Sequence, residues 1–406
     1  MLSLTPAQRP RQNKFPSIAL AIAGGGPLGA IYELGALQAL DESIDGASMH
    51  DLDIYVGVSS GAFLAASLAN RMTTSQMARV FMGSADAEFQ FRPEQFLRPA
   101  FREYLSRATA VPGVVLDMLA EIIRHPQRIT SLESVEGLSR IIPTGLFDNQ
   151  SIERFLARIL DKPGRTNQFG ELQSKLRVVA VELESGQAVR FGEPGNTTVP
   201  ISRAVQASAA LPGLYPPVEI DGHYYVDGAL RRTLNASAAL EEGADLLIAV
   251  NPLVPYDADG HAANPATVRN RMISGGLPVV LSQTFRSLIQ SRMQIGMRKY
   301  ESAYPEAAIM LVEPNRNDEK MFYTNVFSYA SRTELVEHAF QTTRAELRQR
   351  AGELDRFLAP FQLGLNRERL AGQHSFADSL ERETPHFAPV SNSLDRALDS
   401  LERLLR

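Results

Sequence analysis

Short apolar runs alternate with helical patterns along most of the chain. Continuous apolar runs are typical of parallel strands that are covered on both faces, and they predict strands at 18–23, 54–56, 176–183, 246–250 and 308–312. Helical patterns lie between and after them at 28–41, 62–70, 152–160, 200–211, 279–299 and 333–357. This alternation predicts an α/β fold, a three-layer α/β/α sandwich with a mostly parallel central sheet.

Composition narrows the function classes. The chain has 406 residues, 44% of them hydrophobic, and a net charge of −5, which argues against a dedicated nucleic-acid binder. It has no cysteine, so disulfides and thiolate chemistry are excluded, and no Cys/His constellation suggests a metal. No apolar stretch reaches the ~20 residues of a membrane span, and no secretory signal is recognised. We expect a cytoplasmic protein without a cofactor, and contact with a membrane surface stays open.

A strand-to-helix turn holds the first candidate catalytic residue. Gly57-Val58-Ser59-Ser60-Gly61 follows the strand at 54–56 and precedes a helix rich in small residues. This Gly-x-Ser-x-Gly pattern in this context is a nucleophile elbow, in which Gly57 and Gly61 leave room for a tight turn. The helix N-terminus also directs free N–H groups at the serine oxygen. The pattern therefore predicts Ser59 as a nucleophile.

A glycine loop follows the first predicted strand. Gly24-Gly25-Gly26-Pro27-Leu28-Gly29 satisfies the dinucleotide fingerprint, but the next strand ends in the serine elbow and lacks the acidic residue that binds a ribose. Consecutive glycines at a helix N-terminus also suit an oxyanion hole, because their N–H groups lack side-chain cover. We favour the oxyanion hole over the dinucleotide site and over a merely structural turn.

The residue that would activate the serine is less evident. Asp227 ends a predicted hairpin (218–220 and 224–226) and precedes Gly228, a position where aspartate often only caps its own turn. An ordinary Ser–His–Asp hydrolase would instead need a histidine in a loop after a late strand. None of the seven histidines has such a context, including His261 in a polar loop and His338 within a helical pattern.

Four segments together resemble the patatin-like phospholipases: the glycine loop at 24–29, the elbow at 57–61, the segment at 207–217 and Asp227-Gly228-Ala229. The resemblance covers roughly residues 15–345. It implies a lipid acyl hydrolase with a Ser–Asp dyad, with Ser59 as nucleophile and Asp227 as base. It also implies oxyanion donors at Gly24, Gly25 and Gly26, with Gly29, Gly57, Gly61 and Gly228 supporting the motifs. Leu28 stands where that family usually has Arg or Lys.

The resemblance and the patterns divide the chain into three parts. Residues 1–14 are predicted to be a flexible arm, 15–345 the catalytic domain with a helical insert at about 71–170, and 346–406 a C-terminal helical extension. The last helix, 393–406, favours intramolecular packing or a homo-oligomer. The expected partner is a lipid or another acyl ester.

Long acyl chains need an apolar groove, which the insert and the helix at 279–299 are expected to supply. That helix combines Leu281, Phe285 and Leu288 with Arg286 and Arg292. Such a helix either packs on the sheet or lies on an anionic membrane surface. Two alternatives to the dyad hydrolase remain: a Ser–His–Asp esterase, and a catalytically weak scaffold that binds lipid or protein.

Overall fold

The computed structural model describes residues 1–11, 13–82, 89, 91, 144–257, 273–323 and 329–382. Most of the predicted insert and the whole terminal helix at 393–406 fall outside these residues, as do His125, His261 and His386. No helix in the described part of the chain combines the length and the apolar character that crossing a bilayer requires.

The strands form one large sheet and one small one. Their bounds are β1 Leu2–Thr5, β2 Ile18–Ile22, β3 Ile44–Asp45, β4 Ile54–Val58, β5 Lys175–Glu182, β6 Ala188–Phe191, β7 Val218–Ile220, β8 His223–Asp227, β9 Leu246–Val250, β10 Ala308–Val312 and β11 Gly364–Leu365. The large sheet has the order β1-β10-β9-β2-β4-β5-β8-β7, and β6 pairs with β5. Its five central strands, β10 to β5, run parallel.

The helices lie on both faces of this sheet. Their bounds are α1 Gly26–Ser43, α2 Ser60–Ala69, α3 Thr74–Met82, α4 Gln150–Leu160, α5 Ile201–Ser208, α6 Ser237–Glu241, α7 Gly276–Ala303, α8 Glu319–Tyr323, α9 Tyr329–Gln349, α10 Ala351–Leu358, α11 Arg367–Ala371 and α12 Phe376–Arg382. The five predicted buried strands are all present, and the predicted helices are found with shifted ends.

Alternate residues of each central strand enter two separate cores. Leu20 and Ile22 of β2 pack with α1, α2 and α9, whereas Ala19 and Ala21 pack on the opposite side with α6. Met293 of α7 also packs against this second core. Both faces of the sheet are therefore covered, which confirms the predicted three-layer α/β/α sandwich.

Strand β5 brings two distant strands end to end. Its residues 178–181 pair with β6 along one edge, so β4 and β8 must share the other edge. On that edge Val58 of β4 lies opposite Val179, and Asp227 of β8 lies opposite the next residue, Ala180. Because β4 is parallel and β8 antiparallel to β5, their carboxyl ends meet at this point.

Both ends of the described chain differ from the sequence prediction in how they join the domain. Leu2–Thr5, within the predicted flexible arm, pairs antiparallel with β10, and Leu2 is buried. The predicted boundary at residue 345 falls inside α9, and β11 of the predicted extension pairs with β3. Without β1, strand β10 would be an edge strand with free backbone groups. Pairing with it satisfies these groups and buries Leu2, which explains the first difference.

A buried ion pair also attaches the C-terminal segment to α1. Arg344 of α9 pairs with Glu42 of α1 at 2.9 Å, and Nε2 of His374 lies 3.1 Å from the same carboxylate. All three side chains are at most 6% exposed. Removing one partner would leave an uncompensated buried charge, so this contact links the extension to the domain.

Helices α1 and α9 approach closely at Gly35, and this contact yields a stability prediction. A Cβ at Gly35 would lie 2.5 Å from the carbonyl oxygen of Val336 and 2.8 Å from Cβ of Ala339. We expect Gly35→Ala to lower the free energy of unfolding by about 1–3 kcal/mol, because the helices must separate. Gly352→Ala in α10 is the control, since a Cβ there meets nothing within 4 Å. Thermal melts that place both variants at the wild-type temperature would contradict the prediction.

Candidate active site

Ser59 lies at a strained turn between β4 and α2. Its φ of 53° and ψ of −123° are unusual for a residue with a Cβ, and such conformations persist only where the surroundings enforce them. One restraint is a hydrogen bond from the Ser59 N–H to Oγ of Ser208 at 2.8 Å. The Ser208 hydroxyl donates in turn to the carbonyl oxygen of Val179 at 2.5 Å. Ser208 therefore connects the turn to β5.

The glycines on either side of this turn are required by close approach. A Cβ at Gly61 would lie 2.4 Å from the carbonyl oxygens of both Ile22 and Ala23, and one at Gly57 would lie 2.4 Å from Cα of Ala62. These are backbone contacts that no side-chain rotation relieves. Both glycines are therefore required by the tight turn that places Ser59 between β4 and α2.

Asp227 meets Ser59 directly. Ser59 Oγ donates a hydrogen bond to Oδ2 of Asp227 at 2.7 Å, and Oδ1 accepts the N–H of Ala229 at 2.8 Å. The Asp227 side chain is buried, and burial raises its pKa to about 6 although both hydrogen bonds act in the opposite direction. A carboxylate with a raised pKa accepts a proton more readily than an exposed aspartate does.

The glycine loop lies beside the serine. A Cβ at Gly24 would come within 2.9 Å of Cβ of Ser59. The three predicted donors differ in their bonding: the Gly24 N–H donates to the carbonyl oxygen of Thr233 at 3.3 Å, and the Gly25 N–H donates to Oγ of Ser60 at 2.9 Å. The N–H of Gly26 has no hydrogen-bond acceptor among the described residues, and its φ of +60° turns the loop into α1.

The supporting glycines also lie in this site. The Gly29 N–H donates to the carbonyl oxygen of Gly25 at 3.0 Å, which closes the first turn of α1. Gly228 packs so closely on β5 that a Cβ would lie 2.3 Å from the carbonyl oxygen of Val179. Sequence reasoning gave no role to Ser60, Ser208 or Thr233, and no local pattern distinguishes their polar groups from those of ordinary loop residues.

The described histidines lie elsewhere. His338 pairs with Asp318 at 2.7 Å, His223 with Glu182 at 3.1 Å, and His374 with Glu42. None of the described residues that line the cleft around Ser59 is a histidine. The hydroxyl of Ser59 therefore has an aspartate, and not a histidine, as its partner in the described structure.

One group of metal-ligating side chains occurs among the described residues. Glu182, Glu184 and His223 have ligand atoms within 4.8 Å of one another at the start of β8. Both oxygens of the Glu184 carboxylate also accept the N–H of Tyr224, at 3.0 and 3.3 Å. The group is largely exposed, and it lies at the opposite end of the strand from Asp227.

The cleft above Ser59 has a volume of about 1630 Å³. Apolar side chains from α2, α3 and α4 line one side of it, including Phe63, Phe81 and Ile152. Leu28, in the position of the family's basic residue, also lines it and packs against the core.

Helix α7 forms another side of this cleft. It presents a row of half-exposed apolar side chains there: Leu281, Phe285, Leu288 and Ile295, which are between 45% and 59% exposed. Apolar surface of this extent suits an aliphatic ligand. One face of α7 packs on the sheet, which is one of the two roles expected for this helix. The other face carries the half-exposed apolar row.

Comparisons with solved structures give remote similarities. VipD from Legionella pneumophila is 15% identical, over 85% of this chain and 70% of VipD, with a TM-score of 0.35. ExoU from the type III secretion system of Pseudomonas aeruginosa, solved with SpcU, is 15% identical, over 92% of this chain and 67% of that one, with a TM-score of 0.28. Human group IVD cytosolic phospholipase A2, in complex with methyl γ-linolenyl fluorophosphonate, is 11% identical, over 86% and 59%, with a TM-score of 0.32.

The comparison with family models covers the segments around Ser59 and Asp227. The model described as patatin-like phospholipase matches residues 20–240, which is more than half of the chain. The matched range contains the glycine loop, the elbow, Ser208 and Asp227. This match confirms the resemblance drawn from the motifs: the chain belongs to the patatin-like phospholipase family.

Proposed function

We propose that this protein hydrolyses acyl ester bonds of lipids by means of a Ser59–Asp227 dyad. The observation that carries the proposal is the 2.7 Å hydrogen bond from Ser59 Oγ to a buried carboxylate at the base of a large, mainly apolar cleft. A hydroxyl donating to a group able to accept its proton is the arrangement that nucleophilic catalysis needs.

The proposed reaction has two halves. Asp227 takes the hydroxyl proton while Ser59 Oγ forms a bond to the ester carbonyl carbon, and the carbonyl oxygen becomes an oxyanion. Collapse breaks the ester C–O bond, and Asp227 returns the proton to the departing alcohol. A water molecule then attacks the acyl-serine and gives its proton to Asp227. The bond between the acyl carbon and Ser59 Oγ breaks, Asp227 returns the proton to Ser59 Oγ, and the fatty acid leaves.

The oxyanion would be stabilised by backbone N–H groups and by the N-terminus of α2. Gly26 is the best donor, because its N–H has no other acceptor among the described residues. The Gly25 N–H becomes a second donor when the Ser60 hydroxyl rotates away from it. Gly24 shapes the loop and keeps its bond to Thr233. Of the three predicted donors, this geometry favours Gly25 and Gly26.

The acyl chain would lie on the apolar surfaces of the cleft. Phe63, Phe81 and Ile152 line one side, and the exposed row on α7 lines another. Burial of aliphatic carbons against such surface contributes about 0.8 kcal/mol for each CH₂ group. The same row would allow α7 to contact a lipid surface during substrate entry.

Removing the nucleophile is the first test of the dyad. We expect Ser59→Ala to lower kcat/KM for p-nitrophenyl and phospholipid esters by more than ~10³-fold, and to abolish labelling by a fluorophosphonate probe. Ser185→Ala, at an exposed turn, is the control and should retain full activity. Labelling that persists in folded Ser59→Ala would refute Ser59 as nucleophile. Absence of labelling and turnover in the wild type would favour the non-catalytic scaffold.

Asp227 is tested by a substitution that removes its charge. We expect Asp227→Asn to lower kcat/KM by more than ~10³-fold, because an amide cannot accept the Ser59 proton. Its melting temperature at pH 8 should not fall, since ionising a buried carboxylate opposes folding. Asp221→Asn, in the exposed turn of the same hairpin, is the matched control. Full activity of folded Asp227→Asn, or an equal loss in His338→Ala, would support a histidine-dependent esterase instead.

The raised pKa of Asp227 predicts the pH dependence. The dyad works only with Asp227 ionised, and burial raises its pKa to about 6. kcat/KM should therefore be constant above about pH 6 and fall tenfold for each pH unit below it. A profile measured with a neutral ester, with circular dichroism to show that the fold persists, tests this. An acidic limb near pH 4, as for an exposed aspartate, would contradict it.

A further inference from the structure

The cleft carries an excess of positive charge although the chain as a whole is negative. Among the described residues, its basic lining residues, which we name the cationic wall, are Arg231, Arg232, Arg286, Arg292 and Lys299. The acids that line the same cleft, in the described part of the chain, are Asp227 and Glu241. The whole sequence has 41 basic and 46 acidic side chains, so the cleft departs from the average composition.

The two acids do not neutralise this wall. Asp227 is buried beneath Ser59 and accepts its hydrogen bond. Glu241 forms an ion pair with Arg190 and accepts a hydrogen bond from Tyr304 Oη at 3.4 Å. The hydrogen bond from Arg190, and with it the charge of Arg232, lowers the pKa of Glu241. Arg232 Nη1 donates a hydrogen bond to Oγ of Ser237 at 2.8 Å. Arg286 and Arg292 have no carboxylate partner among the described residues.

Arg286 is the most unusual member of the wall. Its side chain is only 7% exposed, its Nη1 donates to the carbonyl oxygen of Val254 at 3.3 Å, and its Cζ lies 5.1 Å from the centre of the Phe322 ring. Its Nε has no hydrogen-bond partner among the described residues. Burial lowers its pKa to about 10, so it is charged at neutral pH. A buried cation without a counter-ion favours an anion in the adjoining cleft.

Arg292 places a second cation on the wall of the same cleft. Its Nη1 donates to the carbonyl oxygen of Leu230 at 2.9 Å, three residues after Asp227. The next residue in the chain is Arg231, another exposed member of the wall. Arg231 and Arg292 are exposed, line the same cleft as Ser59 and have no carboxylate partner among the described residues. Such arginines suit the binding of a phosphate.

We propose that the cationic wall binds the phosphate of an anionic lipid headgroup, with Arg286, Arg292 and Arg231 as the residues that select phospholipids over uncharged esters. Leu28 supplies no charge, so these arginines provide positive charge from the other sides of the cleft. Free phosphate has the same recognition chemistry, but the apolar row on α7 beside Arg292 favours a phosphate attached to acyl chains. The inference rests on the lipid substrate proposed above.

A binding experiment tests this without turnover. The probe is a water-soluble glycerol phosphate with two hexyl ether chains, which no esterase can cleave. The comparison ligands are the same dialkyl glycerol with a short polyether headgroup, and inorganic phosphate. Calorimetry is performed below the aggregation concentration of the lipids. The variants are Arg292→Gln and Arg231→Gln, and Arg298→Gln is the control, an exposed residue of α7 that does not line the cleft.

We expect the phosphate lipid to bind more tightly than either comparison ligand. Arg292→Gln and Arg231→Gln should each weaken its binding about ten- to a hundredfold, because a charged hydrogen-bonding partner is lost. Binding of the polyether lipid should stay within twofold, and Arg298→Gln should match the wild type. Arg286→Gln should weaken binding similarly and is added where its melting temperature equals that of the wild type, since Arg286 is buried.

Three results would overturn the proposal. The first is equal affinity for the phosphate and polyether lipids, and the second is an equal effect of Arg298→Gln and Arg292→Gln. The third is binding of inorganic phosphate as tight as that of the phosphate lipid, which would show that the wall binds free phosphate. If the wild-type protein hydrolyses no ester but binds the phosphate lipid in an arginine-dependent way, the proposed hydrolase is refuted and the headgroup site is supported. The two proposals are therefore distinguishable.

Discussion

The site depends on one shared strand edge. β6 covers one side of β5, so β4 and β8 must pair with the other side and end against each other. Ser59 and Asp227, 168 residues apart in sequence, become neighbours through this register. A slip of β8 by one residue would turn Asp227 to the other face of the sheet, and a slip of β4 would displace Ser59 along β5. The pairing with β5 therefore determines whether the two side chains meet.

Sequence reasoning identified the local features because each depends on few neighbouring residues. The buried strands are continuous apolar runs, and the elbow and glycine loop need small residues at fixed positions, as Gly61 shows. β1 was missed because this stretch of four residues forms a strand only when β10 offers an edge to pair with. The hydrogen bond from Ser59 N–H to Ser208 joins residues 149 positions apart, and no local pattern contains it. From the sequence, only the resemblance to the patatin-like phospholipases predicted that Ser59 and Asp227 act as a pair.

The site stores unfavourable energy that the surrounding fold must offset. Ser59 has a positive φ, which costs roughly 1–3 kcal/mol, and Asp227 is buried without an ion-pair partner among the described residues. The tight packing of Gly57 and Gly61 against neighbouring backbone maintains the turn, and Ser208 and Ala229 supply hydrogen bonds to its polar groups. The parallel sheet thus holds a strained serine against a buried carboxylate, as the proposed dyad requires.

The cationic wall and the dyad also affect each other. An anionic headgroup in the cleft would add a negative charge near Asp227, which raises the pKa of the carboxyl further and reduces the fraction able to act as a base. In the proposed complex the guanidinium groups of the wall would offset part of that negative charge, because Arg231 and Arg292 line the same cleft as Asp227. Arginine also remains charged around pH 6, where Asp227 titrates. The positive lining would therefore make an anionic lipid more compatible with the proposed mechanism than an uncharged cleft would.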